Sequence, residues 1–452
     1  MSGARQHSSP TRPARTPGAE MTDTTNSTTA PATAPPGRAK TLLGTGVGNA
    51  LEWYDWGIYA IFVPYIATRF FDNSDQLSAL LSALAVFAVG FLARPFGGWL
   101  FGLISDRWGR RNAMTLSVAG AAGGTVLIGL SPAYDAIGAG ASVVLLLARL
   151  VQGVAHGGEL PSAQTYISEV APDRHRGLWS SLIYFSGTIG LITGTALGAV
   201  LTTALTDQQM SAWGWRIPFL LGGVVGLYAL VMRRRMEESA AFRRLTAQTS
   251  TADREPMGRA ILRSRRQALQ VIGMTIGLTV AFYAWGTAAT QFAISSRGVP
   301  PSGALWAGVA AQVVFIAALP LWGALSDRIG RKPVALISIV GLAVAGFPLN
   351  ALLDNSPWRL FVAMSLAMVL MAASASIMPA MFAELFPTRI RTVGVAVPYS
   401  SAVALFGGTA PYLQAWLETF SGPWFTGYVS LLLVVSAVTL VSMPETRGTP
   451  LR

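Results

Sequence analysis

Apolar residues in this chain come in long blocks, with polar residues confined mostly to the gaps between them. The blocks run at about 41–70, 77–104, 113–131, 141–168, 178–204, 214–232, 268–293, 303–325, 334–353, 358–385, 393–417 and 424–442. Each approaches or exceeds the ~20 residues that an α-helix needs to cross ~30 Å of hydrocarbon. Glycine and proline punctuate them, which membrane helices tolerate better than soluble ones. The pattern predicts an all-α membrane protein with twelve transmembrane helices.

Composition agrees. Of 452 residues, 52% are hydrophobic and 12% charged, against ~25% charged in an average soluble domain; mean hydropathy is +0.47. The net charge of +12 is unevenly placed. Most of the 33 Lys and Arg fall in the N-terminal tail, in "SDRWGRRN", "PDRHRG", "SDRIGRKP" and "TRIRT", in the 233–267 segment and at the C-terminus. This is the positive-inside distribution, and it predicts a multi-pass protein of the inner (plasma) membrane with both termini cytoplasmic. The basic stripe therefore reads as topology on a lipid bilayer, not as a nucleic-acid surface. The chain has no cysteine, and His7, His156 and His175 are too scattered for a metal site, so no metal or cofactor is expected. The tail over 1–40, rich in Thr, Pro and Ala, reads as disordered. It lacks the apolar core of a signal peptide, and Met21 is an alternative start to Met1.

The chain repeats itself. "GLISDRWGRR" at 102–111 returns as "GALSDRIGRK" at 323–332. Likewise Glu169, Pro172, Arg174 and Arg176 return, at nearly the same offset, as Glu384, Pro387, Arg389 and Arg391. Two landmarks with nearly the same offset imply two pseudo-symmetric six-helix halves in parallel orientation, 41–232 and 268–443, joined by a charged cytoplasmic linker, 233–267, and followed by a tail, 444–452. Parallel halves around a site at mid-depth describe a secondary transporter that rocks between two states.

Two six-helix halves, each with a Gly-x-x-x-Asp-Arg-x-Gly-Arg-type loop between its second and third spans, resemble the major facilitator superfamily. Within it the chain is similar to the metabolite:proton symporter family, through "GNALEWYDWGIY", "GFLARPFGGWLFGLISDRWGRR", "LLLARLVQGVAHGGE", "GWRIPFL" and "FPTRIRTVGVAVPYSSAVALFGGTAP". "AVFAVGFLARPFGGWLFG" and "SPAYDAIG" look most like its α-ketoglutarate permease branch. The resemblance implies the major facilitator fold and symport of a small organic solute with a proton; members carry α-ketoglutarate, shikimate, citrate, proline and betaine.

The glycine-rich, Asp- and Arg-bearing hinges suit a latch. Asp106 can face the positive N-terminus of a helix of the other half, and Arg107 and Arg110 can pair with acids at helix ends. Asp327, Arg328 and Arg331 repeat the arrangement. Such a latch biases an equilibrium between two global states; the alternative is that these cations only set topology.

Few ionisable groups lie within the spans: Glu52 and Asp55 in the first, Arg94 in the second, and Arg149, His156 and Glu159 in the fourth, with Arg216 opening the sixth. A lone charge at mid-bilayer costs ~3 kcal/mol on insertion scales, so each needs a partner or a wet cavity. Arg149, Gln152, His156 and Glu159 share one helical stripe, as do Asn49, Glu52 and Tyr59. These stripes are expected to face one central cavity. In that reading Arg94 and Arg149 clamp a solute carboxylate, with Gln152, Tyr59 and Arg216 as further ligands. Glu52, Asp55, Glu159 and His156 are then the proton-coupling candidates, since an acid that loses its arginine accepts a proton more readily. The alternative is that the charges are structural pairs, and His156 reads equally as a packed neutral ring.

The C-terminal half should supply the opposite wall, with Tyr283, Gln291 and Tyr399 as solute ligands and Trp285, Gln312 and Ser400 beside them. Here "FYAWGTAATQFA" departs from the ketoglutarate branch, with Ala288 and Phe292 where it tends to have tyrosines and Gln291 where it has a basic residue. In "GGELPSA", Pro161 should bend the fourth helix. The sequence thus predicts a monomeric, proton-coupled carrier of a mono- or dicarboxylate such as α-ketoglutarate, working by alternating access. A proline/betaine-type symporter or an exporter of the same superfamily is the alternative, and a transport-dead sensor the competitor from another class. No nucleophile, metal cluster or nucleotide loop supports an enzyme.

Overall fold

The computed structural model describes residue 3 and residues 38–108, 110–157, 159–234, 263–387, 390–420 and 422–449. The expected tail and most of the linker lie outside these residues, as do the side chains of Asp106, Arg107, Arg110 and Glu159. Leu42–Arg452 form one compact unit.

Twelve helical rods stand where the apolar blocks predict them, and no strand occurs among the described residues. They are α1 (Arg38–Phe70), α2 (Gln76–Leu92, then Arg94–Trp108), α3 (Arg110–Leu130), α4 (Gly140–His156, then Glu159–Val170), α5 (Arg176–Ala204) and α6 (Arg216–Arg234). The second half holds α7 (Arg265–Arg297), α8 (Pro301–Ile329), α9 (Arg331–Ala351), α10 (Pro357–Leu385), α11 (Arg391–Leu417) and α12 (Trp424–Ser442). The face of the bundle at which α12 ends is called the tail face below. The opposite face carries an exposed belt of Trp213, Trp306, Trp358, Trp416 and Trp424 at helix ends, the depth at which indoles favour a membrane interface.

Helix irregularities follow local chemistry. The α2 rod breaks at Ala93, two residues before Pro95, where a proline ring collides with the preceding turn; the α4 rod breaks at Gly157. Single π turns interrupt α7 at Ala284–Ala288 and α11 at Val403–Gly407. One expectation is corrected: the repeated Asp-Arg motif is not a loop in the second half. Asp327 and Arg328 form the last turn of α8, and the hinge is Gly330 alone, at φ +108, a conformation glycine adopts without steric cost.

Small residues set the close contacts. A Cβ on Gly153 would lie 2.0 Å from the Gly90 carbonyl oxygen, and one on Gly157 2.1 Å from that of Arg94. Thus α2 and α4 meet backbone to backbone, which brings Arg94 alongside the Arg149 stripe. The two halves join along α5 and α8, where a Cβ on Gly177 would lie 2.7 Å from the Gly323 carbonyl oxygen.

The second repeat landmark crosses that joint reciprocally. Glu169 at the end of α4 takes Arg391 of α11 at 2.8 Å, and Glu384 at the end of α10 takes Arg176 of α5 at 2.9 Å. Each half supplies its acid to the other half's arginine at equivalent positions, as pseudo-two-fold symmetry requires.

Candidate functional site

At mid-depth the two halves enclose a cavity of ≈ 70 Å³, measured to the centre of a water-sized sphere. Its N-terminal wall is Trp53, Trp56, Ala60, Phe87 and Arg94, with Tyr184 from α5; Thr279, Phe282, Tyr283, Met378 and Tyr399 face them. Among the described lining residues Arg94 is the one charged group. Its guanidinium lies 3.1 Å from the Glu52 carboxylate and stacks 4.3 Å from the Trp56 ring and 4.4 Å from Phe91. It is thus held by one ion pair and two cation–π contacts, each of the latter worth ~0.5–2 kcal/mol.

The expectation that all the charged stripes face this cavity is corrected. Arg149 is fully buried behind it, 3.9 Å from the Trp56 ring and 4.3 Å from Tyr59. Its Nη1 donates to Gln152 Oε1 at 2.8 Å, and Gln152 Nε2 donates to Thr125 Oγ1 at 2.7 Å. The Tyr59 hydroxyl donates to the Ala83 carbonyl. Arg149, Gln152 and Tyr59 therefore pack inside the N-terminal half rather than lining the cavity, because the α2–α4 glycine contact leaves no channel between those helices.

Asp55 also turns inward, against Gly222 of α6. The His156 Nε2 stands 3.7 Å from its carboxylate, both buried. The cavity arginine and this inner cluster share one helix turn of α1, with Glu52, Asp55 and Trp56 inside it.

Two further expected ligands lie elsewhere. Arg216 sits at the opposite face, donating to the Ser131 and Ala212 carbonyls and stacking on Trp215 at 4.4 Å; those carbonyls at helix ends hold it out of the core. Gln291 lies one turn beyond the cavity, where its amide donates to the Ile61 carbonyl and bridges the halves. Tyr283 and Tyr399 do line the cavity. Trp53, Trp56 and Tyr184 line it as well, and none of them was singled out from the sequence. The spacing of Trp53, Trp56 and Ala60, at i, i+3 and i+7, was the available signal that one face of α1 is a wall.

At the tail face the Asp327 carboxylate accepts from the backbone N–H groups of Gly177 at 2.9 Å and Leu178 at 3.0 Å, the first turn of α5. Arg331 holds the same carboxylate at 2.7 Å, while Arg328 is exposed. The segment after α12 adds Glu445, whose carboxylate accepts from the backbone N–H groups of Arg331 and Lys332. Arg176 donates to the Thr449 carbonyl. Burial alone would raise the Glu445 carboxyl, but four backbone N–H donors outweigh it and hold it below its ordinary value.

Two parallel helical halves around one enclosed, polar-tipped cavity, with a charge network between them at one face, define a secondary-transporter fold. The comparisons agree. Residues 42–259 match the "Sugar (and other) transporter" family model and residues 271–451 the "Major Facilitator Superfamily" model. The alpha-ketoglutarate permease of Escherichia coli K12 is 36% identical over 400 residues, 87% of this chain and 91% of that protein. The proline/betaine transporter of the same organism is 30% identical over 91% of this chain and 85% of its own length. A Dickeya dadantii transporter named for glycine betaine, proline, ectoine and pipecolic acid is 31% identical over 91% and 84%. Among solved structures, that of the proton:xylose symporter XylE bound to 6-bromo-6-deoxy-D-glucose superposes with a TM-score of 0.72 at 19% identity, covering 91% of this chain and 96% of that one. The chain belongs to the major facilitator superfamily. It is a membrane transporter, not an enzyme.

Proposed function

We propose that this transporter couples the downhill entry of protons to uptake of a small organic acid, with the tail face cytoplasmic. The observation that carries the reading is Arg94, the one cation among the cavity's described lining residues, paired with Glu52 and set in an aromatic wall. A solute carboxylate that takes Arg94 leaves Glu52 without it, and a proton then replaces the lost charge. Asp55, beside His156, is the second proton site; Glu159, on the expected stripe of α4, is the third. Arg149 and Gln152 hold the electrostatics behind Trp56 rather than touching solute. Tyr283 and Tyr399 hydrogen-bond it from the other half.

One cation favours the monocarboxylate end of the solute range, although the relative named for α-ketoglutarate makes that acid the first to test. The aromatic walls favour a second reading, a zwitterion like those named for the proline and betaine relatives, with its carboxylate on Arg94 and its cationic nitrogen on Trp53 or Phe282. Alternating access would be governed at the tail face by Asp106, Arg107 and Arg110 in the first half and Asp327, Arg328 and Arg331 in the second. Both walls come from one chain, so the transport unit is a monomer.

The test is uptake into proteoliposomes under an imposed pH gradient, acid outside, across α-ketoglutarate, monocarboxylates and glycine betaine. Accumulation that collapses with a protonophore is expected. If no organic acid or betaine is concentrated by the gradient, the proposal is lost.

A further inference from the structure

A second, larger cavity lies wholly within the C-terminal half, away from the solute site. Its volume is ≈ 640 Å³ by the same measure, far above the ~10–15 Å³ that is enough to hold one water. Its walls come from the second halves of α7 and α9, the end of α11 and the first half of α12, so it opens towards the face opposite the tail. Below the rim the walls are mostly apolar, with Trp285, Leu342, Phe347, Phe425, Val429 and Leu433; the polar side chains there are Ser430 and the pair Asn350 and Thr426, whose amide and hydroxyl bond each other at 2.7 Å. The rim is charged, with Arg297 from the end of α7 and Glu418 from the end of α11. Exposed Trp416 and Trp424 flank that rim, which puts it at headgroup depth.

Three rim features point to a ligand. Gln414 is 8% exposed, lines the cavity, and its Oε1 has no hydrogen-bond partner. Glu418 takes a hydroxyl from Ser296 at 3.3 Å, and burial pushes its carboxyl up to about 7, so a cation opposite it would recover the ionised form. Arg297 is exposed and rests on Phe292 at 5.1 Å, near enough to Glu418 to favour its charged form. A cation and an anion at one rim above a mostly apolar shaft match a molecule that carries both charges at one end and a hydrocarbon chain at the other. We propose that this cavity binds a zwitterionic glycerophospholipid, with an acyl chain in the shaft, the phosphate at Arg297 and the ammonium at Glu418. The amide oxygen of Gln414 accepts from the ammonium. This goes beyond the carrier reading and does not depend on which solute is transported.

Native mass spectrometry of the purified full chain, titrated with dioleoyl-phosphatidylethanolamine or dioleoyl-phosphatidylglycerol, decides the matter. One tightly held phosphatidylethanolamine is expected, at least fivefold preferred over the glycerol lipid, which lacks the ammonium. Val429→Trp, which fills the shaft from α12, and Gly346→Leu, which fills it from α9, should each weaken that binding at least fivefold. Glu418→Gln and Arg297→Gln should erase the headgroup preference, and they remain informative should a filled cavity fail to fold. Equal binding of the two lipids by the natural chain, or phosphatidylethanolamine binding unchanged by all four substitutions, overturns the proposal.

Discussion

The carboxylate of Glu52 on α1 lies 3.1 Å from the guanidinium of Arg94 on α2, and the arginine is the cavity's only charge among its described lining residues. Lysine keeps the charge but has neither the fork for a carboxylate nor a flat face for Trp56. Arg94→Lys should therefore lower uptake of anionic solutes by about tenfold or more, the equivalent of ~1.4 kcal/mol or above, with normal membrane insertion. Initial rates in proteoliposomes measure it; wild-type rates would remove Arg94 from solute binding.

Asp55 faces His156 inside the N-terminal half, not the cavity. If it carries the coupled proton, Asp55→Asn should abolish accumulation under a pH gradient while leaving solute counterflow, because exchange needs no net proton movement. His156→Gln, which keeps a polar ring-sized group, tests whether the imidazole takes part. Counterflow and gradient-driven uptake measured side by side separate the two steps, and unchanged accumulation in Asp55→Asn would take that acid off the proton path.

Gly177 holds the joint of the halves because its position has no room for a side chain: a Cβ would lie 2.4 Å from Arg331 Nη1 and 2.7 Å from the Gly323 carbonyl oxygen. Gly177→Leu should pry α5 from α8, strip Asp327 of its two backbone donors and populate the state open at the tail face. The natural chain has no cysteine, so Met378→Cys, on the cavity's tail-side wall, reports this directly. Maleimide labelling from the tail face should rise several-fold with Gly177→Leu; an unaltered labelling rate would mean the joint does not gate access.

Glu445 gives a pH dependence of known sign. Its folded carboxyl titrates below the ordinary ~4.3, so between the two values the unfolded chain binds more protons. Its contribution to stability is thus full above ~4.3 and lost as pH falls through the folded value. Because the group is exposed, screening keeps the contribution small, within about 1 kcal/mol. At pH 7.5 Glu445→Gln should melt below the natural chain, and the gap should close in acid. Identical melting curves at pH 7.5 would show that the strap over Arg331 and Lys332 adds nothing.

Much of the architecture was legible because the bilayer is a severe solvent. A backbone in hydrocarbon must satisfy its own hydrogen bonds, as a helix or a closed barrel, and blocks of about twenty residues suit only the helix, so block length predicted α1 to α12; the repeat of Glu169 and Arg176 as Glu384 and Arg391 predicted two halves. The π turns of α7 and α11 carried no such signal, since an extra residue in one turn leaves the apolar block unchanged.

The candidate site was legible as a set of charges and not as a room. Sequence by itself determined that Glu52, Asp55, Arg94, Arg149 and His156 lie within membrane helices, because hydropathy is a property of position along the chain. Only the tertiary structure decided that Arg94 reaches the cavity while Arg149 and Asp55 turn behind Trp56. That choice depends on how far α2 and α4 approach, and Gly90, Gly153 and Gly157 set the approach through contacts between helices remote in sequence.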